Sequence, residues 1–201
     1  MKKKQICIAA FLLATTCFTG CKAGQKDSAK GDPVVESTID DSDEVKTDSL
    51  VYSQNGKGYS CNIKIDFPQG NGKLDDGIKE FLNSVLSDFT VCDNPDKPKA
   101  EYVGDKNDGK AMLSFYGKQR SKDMEEGYNS VLEFNDSSEP PASYSFDGSV
   151  RLMEKAGKYV TYRIESYVYL GGAHGSSFSQ EVNIVRATGK ALETTVDTTK
   201  T

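Results

Sequence analysis

The side chains best placed to do chemistry gather in one stretch, Tyr167-Val-Tyr-Leu-Gly-Gly-Ala-His-Gly175, with Ser176 and Ser177 just behind it. His174 is the only histidine of the chain. A metal ion needs three or four ligands, and no second histidine exists to share the task. A nucleophilic triad needs nucleophile, base and orienting acid in contact, and adjacency in sequence does not supply that geometry. No catalytic set, metal site or cofactor is therefore expected. Two roles stay open for His174: a hydrogen bond to backbone in a tight strand-to-strand turn, or contact with a ligand. Gly171 and Gly172 suit either role, because paired glycines after a β-rich run mark positive φ or a close backbone approach. Tyr167 and Tyr169 offer rigid, amphipathic contact area beside the turn. The candidate binding set is Tyr167, Tyr169, Gly171, Gly172 and His174.

Cysteine is the other reactive residue type. Lys2, Lys3 and Lys4 precede an apolar run from Ile6 to about Phe18, too short for a mature membrane helix and typical of a secretory leader. Phe18-Thr19-Gly20-Cys21 resembles a bacterial lipobox, in which the cysteine becomes the lipidated N-terminus. Residues 1–20 read as a lipoprotein signal peptide, and Cys21 as the lipidation site. Cys7 and Cys17 leave with the leader, so Cys61 and Cys92 remain, and an exported protein can pair them. Such a bond would stabilise the fold by roughly 3–4 kcal/mol through chain entropy. The alternative is two free thiols.

Loss of the three leader lysines takes the formal charge from −5 to −8. That acidity argues against nucleic acid and against electrostatic attachment to anionic lipid. The membrane partner would be reached through acyl chains. Cys21-Lys-Ala-Gly-Gln has no acidic run after the cysteine, which favours a periplasm-facing anchor in a Gram-negative host.

Residues 21–56 are mostly Lys, Asp, Ser, Gly and Thr, with an acidic cluster at Asp40-Asp41-Ser42-Asp43-Glu44. They read as a flexible tether with an end-to-end distance of roughly 30–35 Å. Folding is expected from about residue 57. Tyr59, Cys61, Ile63, Ile65 and Phe67 alternate with polar residues as in a half-buried strand. After a turn, Leu74, Ile78, Phe81, Leu82, Val85 and Phe89 form one helical stripe, with Asn71 as N-cap and Asp75 and Asp76 in the first turn. Loop follows over 91–109. A weaker helix is expected over 110–126 with Met112, Phe115, Tyr116 and Met124 inward, Gly117 counting against it. Residues 143–154, 159–170 and 177–186 read as three successive strands, the first pair joined tightly through Gly157. In the middle strand Val160, Tyr162, Ile164, Ser166 and Val168 face one way, and Thr161, Arg163, Glu165 and Tyr167 the other. The expectation is a two-layer α+β fold, an antiparallel β-meander with both helices on its apolar face. Residues 193–201 are a polar tail.

The leader, tether, strand, helix, meander, Gly171-Gly172-Ala173-His174-Gly175 and Thr188-Gly189-Lys190 together resemble the PdaC-type extracytoplasmic domain. That domain lies in front of the catalytic domain of a peptidoglycan deacetylase, and in the lysozyme-sensing anti-sigma factor of Bacillus-type bacteria. The likeness covers residues 57–192. Two departures stand out: Val185 occupies a position where relatives usually carry Asp, and the usual second domain does not follow. The resemblance implies a non-catalytic recognition domain of the cell envelope, binding a lysozyme-like protein or cell-wall glycan (peptidoglycan). Two other readings stay open: a truncated relative with no specific function, or an accessory domain of a wall-modifying enzyme.

Overall fold

The computed structural model describes residues 45–192, except 95, 137, 138 and 156. The leader, Cys21, the tether up to residue 44 and the tail lie outside the described residues. The elements are β1 (Thr47–Gly56), β2 (Tyr59–Pro68), α1 (Lys73–Phe89), α2 (Gly109–Glu133), β3 (Tyr144–Glu154), β4 (Tyr159–Tyr169), β5 (Ser176–Val185) and β6 (Lys190–Ala191). The strands form one six-stranded sheet in chain order.

Three expectations need correction. The tether was expected to run to residue 56, but Val45 is buried and residues 47–56 form β1, hydrogen-bonded along its whole length to β2. Leu50, Tyr52 and Gln54 alternate inward while the intervening residues face solvent, so this polar edge strand carries too few apolar positions to stand out. Second, the meander is not wholly antiparallel: β2 and β3 pair in parallel, Tyr59 opposite Tyr144. A parallel pair needs a crossover, and α1 and α2 provide it. Third, Cys61 and Cys92 are free thiols. Val91 rather than Cys92 is the residue that the turn after α1 tucks inward, leaving Cys92 exposed. Burial pushes the Cys61 thiol up to about 11.

The alternation of β2 and the stripe of α1 meet as the patterns require. Cys61, Ile63 and Ile65 of β2, Phe146 and Val150 of β3, and Val160 and Tyr162 of β4 are sealed under Ile78, Leu82 and Leu86 of α1 and Met112, Tyr116 and Met124 of α2. Burying such side chains stabilises by about 1.5–3 kcal/mol each, before conformational entropy is subtracted. Phe115 instead remains on the rim, its ring 5.6 Å from that of Tyr102. Helix α1 starts one residue later than expected: Gly72 is the N-cap, its N–H donating to Asp75 at 3.0 Å. The Asn71 side chain is engaged by Lys79, which is 3% exposed and also donates to Gly70 O and Asn107 Oδ1 at 2.7 Å. This buried ammonium ties the loop before α1 to the loop before α2. Helix α2 runs further than expected, to Glu133, and Asp108 caps its start.

Two glycines explain features the pattern left obscure. Gly117 sits in α2 because Tyr52 of β1 lies across it; a Cβ there would meet the tyrosine ring at 2.4 Å. Gly189, at φ +66, presses its carbonyl against Gly77 of α1, where a Cβ would lie 1.9 Å from that oxygen. The Thr188-Gly189-Lys190 turn is thus a backbone-to-backbone clasp on the first helix. Gly77→Ala should therefore destabilise the domain by about 1–3 kcal/mol, the usual cost of overpacking. Urea unfolding measures it, and an unchanged midpoint would refute the clasp.

Candidate functional site

Because both helices cover one face of the sheet, no element among the described residues covers the other, and strand alternation decides what it shows. The register places Ser53, Asn62, Asp147, Tyr167 and Ser177 in one row across β1 to β5. The next row is Val51, Lys64, Ser149, Glu165 and Ser179. All of these but Ser53 line an open hollow of about 630 Å³. Its polar groups hold one another. Ser53 donates to Asn62 Oδ1 at 2.7 Å, and the Asn62 amide donates to Asp147 Oδ1 at 3.0 Å. Arg151 donates to Glu165 Oε2 at 2.7 Å, and Ser149 reaches the same oxygen at 3.3 Å. The Arg151 hydrogen bond lowers the pKa of the Glu165 carboxyl from its ordinary value, favouring the ionised form. Beyond it, Arg163 pairs with Glu181 at 2.6 Å.

The five candidate residues divide. Tyr167 lines the hollow, 39% exposed, and its ring lies over Gly175, where a Cβ would meet it at 2.5 Å. Tyr169 donates its hydroxyl to Gly172 O at 2.9 Å, clasping the β4–β5 loop. Gly171 and Gly172 have φ of +83 and +93, the left-handed region that a side chain resists, so turning the chain is their task. His174 is exposed at the loop, with Nδ1 3.4 Å from Gly175 O. It does not line the hollow, and no acid or nucleophile among the described residues is hydrogen-bonded to it. Among the described residues no group of three or more His, Cys, Asp or Glu could hold a metal ion, and no helix is long and apolar enough to cross a membrane. Sequence reasoning missed Asn62, Lys64 and Asp147, which only the strand register brings beside Tyr167, and it put Glu165 on the same face of β4 without giving it a role. The two motif glycine turns also lie at opposite ends of β5: the His174 loop precedes it, and the Gly189 turn follows it.

Substitution at the loop should separate backbone from side chain. Gly172 has open space around it, so Gly172→Val tests φ alone and should cost about 1–3 kcal/mol. His174→Ala should change stability by less than about 0.5 kcal/mol. Thermal melts of both variants decide, and equal melting points would sink the assignment.

The family model described as Deacetylase PdaC matches residues 54–177. No curated protein matches the chain. Solved structures are also similar, two of them from the DUF3298 family. One is a DUF3298 family member from Bacteroides fragilis, 20% identical with a TM-score of 0.49, the match covering 74% of this chain and 59% of that one. The other is a DUF3298 family protein from Pseudomonas aeruginosa, 18% identical with a TM-score of 0.46, covering 75% and 56%. The chain thus spans less than two thirds of the length of either.

Proposed function

The chain belongs to the PdaC family, and from that premise we propose that it is a lipid-anchored protein of the bacterial cell envelope whose domain recognises cell-wall glycan without catalysing a reaction. One observation carries the reading: the helix-free sheet face is a shallow hollow in which a tyrosine ring stands among fixed hydroxyl, amide and carboxylate groups. Saccharides present hydroxyls in both donor and acceptor roles, together with weakly apolar ring faces. Asn62, Asp147, Ser149 and Glu165 supply acceptors and donors that are already oriented by their neighbours, and Tyr167 supplies the platform. Preorganisation matters because each side chain held before binding costs no ordering when the ligand arrives.

A recognition role without chemistry accords with His174 standing apart from the hollow and with Glu165 being tied to Arg151 as an ionised acceptor. Envelope location and the lipid anchor rest on the leader and on Cys21. Cys21→Ser should leave an unprocessed precursor that takes up no palmitate analogue, and labelling that persists in the variant would remove the anchor.

For the recognition face, the expected outcome is co-sedimentation of the protein with insoluble peptidoglycan, and its loss in Tyr167→Ala at an unchanged melting temperature. Parent protein left in the supernatant would overturn the glycan reading. Capture by immobilised lysozyme in place of peptidoglycan would shift it to a protein partner.

A further inference from the structure

The charges of the open face are not evenly matched, and the imbalance bears on which glycan it suits. Glu165 is taken by Arg151, and Glu181 by Arg163. Asp147 accepts from Asn62. Lys64 also lines the hollow, is exposed on β2, and pairs with no acid among the described residues. Its cross-strand neighbours are Val51 on one side and Ser149 on the other, neither of which carries charge. An exposed ammonium on a sheet face, with no ion pair among the described residues, is a ready partner for an anionic group on a ligand.

We propose that the hollow selects a saccharide bearing a carboxylate, with Lys64 taking the carboxylate while Tyr167, Asn62 and Asp147 meet the sugar ring and its hydroxyls. The proposal rests on the glycan reading and names the chemical class within it. Three features of the site fit a single negative charge. Lys64 is one point charge, without the planar fork that grips phosphate in a bidentate manner. Asp147 lies in the next row and Glu165 in the same row two strands away, so a densely charged polyanion would meet repulsion from both carboxylates. Those same carboxylates accept hydrogen bonds from neutral hydroxyls, which a sugar supplies next to its acid group. The ligand expected is therefore amphoteric in its demands: one anion at the β2 side of the hollow, and hydroxyls toward β3 and β4.

The test uses the full chain and two probes that differ only in charge: a wall disaccharide with a free carboxylate, and the same disaccharide with that carboxylate amidated. Calorimetric titration should find the acid bound about tenfold more tightly than the amide, as a charge-assisted hydrogen bond near a protein surface allows. Lys64→Gln should bind both probes alike, at the affinity of the amide, with an unchanged melting temperature. Lys64→Arg should keep the preference. Tyr167→Ala should weaken both probes together. Equal binding of acid and amide by the parent would overturn the role of Lys64 while leaving glycan recognition standing. A preference that survives in Lys64→Gln would do the same. Failure of the parent to bind either probe would overturn the glycan reading, and this inference with it.

Discussion

The parallel pairing of β2 with β3 is the constraint from which the rest of the architecture follows. Two parallel neighbours cannot be joined by a turn, so the chain leaving Pro68 must travel back to the starting end of the sheet before Tyr144. Helices α1 and α2 make that return, and a return over one face puts both on the same side. Every other pairing is antiparallel and tightly connected, which adds strands at the edges without adding cover. One layer of helices, one sheet and one bare face are the outcome. Strand alternation then does the sorting: the covered face takes Ile63, Phe146 and Tyr162, and the bare face takes Asn62, Asp147 and Tyr167.

Charged groups secure the return path at two places. Lys79 closes the loops at the starts of both helices with hydrogen bonds that satisfy its ammonium. Arg120 of α2 is 1% exposed, bonded to Asp93 and set 4.7 Å above the ring of Phe146. Its guanidinium thus ties the turn after α1 to α2 and to the sheet at once. Removing the Asp93 carboxylate would leave a buried cation without its counter-charge, which is far more costly than losing a surface pair. Loop structure in this domain depends on burying charge as much as on burying carbon.

Where the sequence was legible, it was legible through period. The alternation of Tyr59 to Phe67 and the stripe from Leu74 to Phe89 each repeat at the spacing of a single element, and both appear where expected. Strand β1 was not legible in that way, because an edge strand with one half-buried face needs only Leu50, Tyr52 and Gln54. Its signal was of another kind: Asn55-Gly56-Lys57-Gly58, a hairpin turn standing before a certain strand. Lys79 and Arg120 escaped notice because apolar periodicity counts hydrophobic positions and passes over a buried cation. The site was half legible. Tyr167 and Glu165 could be placed on the exposed face by parity within β4, whereas Asn62, Lys64 and Asp147 reach them through register between strands, a relation that no local pattern encodes. His174 drew attention by its rarity, and its loop turned out to be shaped by Gly171, Gly172 and the Tyr169 hydroxyl.

The strand order has a consequence for how the domain sits between its neighbours in the chain. The backbone enters through β1 and reaches Leu192 just past β6, the two outermost strands, and both of those points lie toward the same end of the sheet. Adjacent strands are about 4.8 Å apart, so five spacings hold the entry and exit points roughly 24 Å from each other. The points at which the described chain begins and ends are therefore set apart by the full width of the sheet, with the loop of His174 at the far end from both.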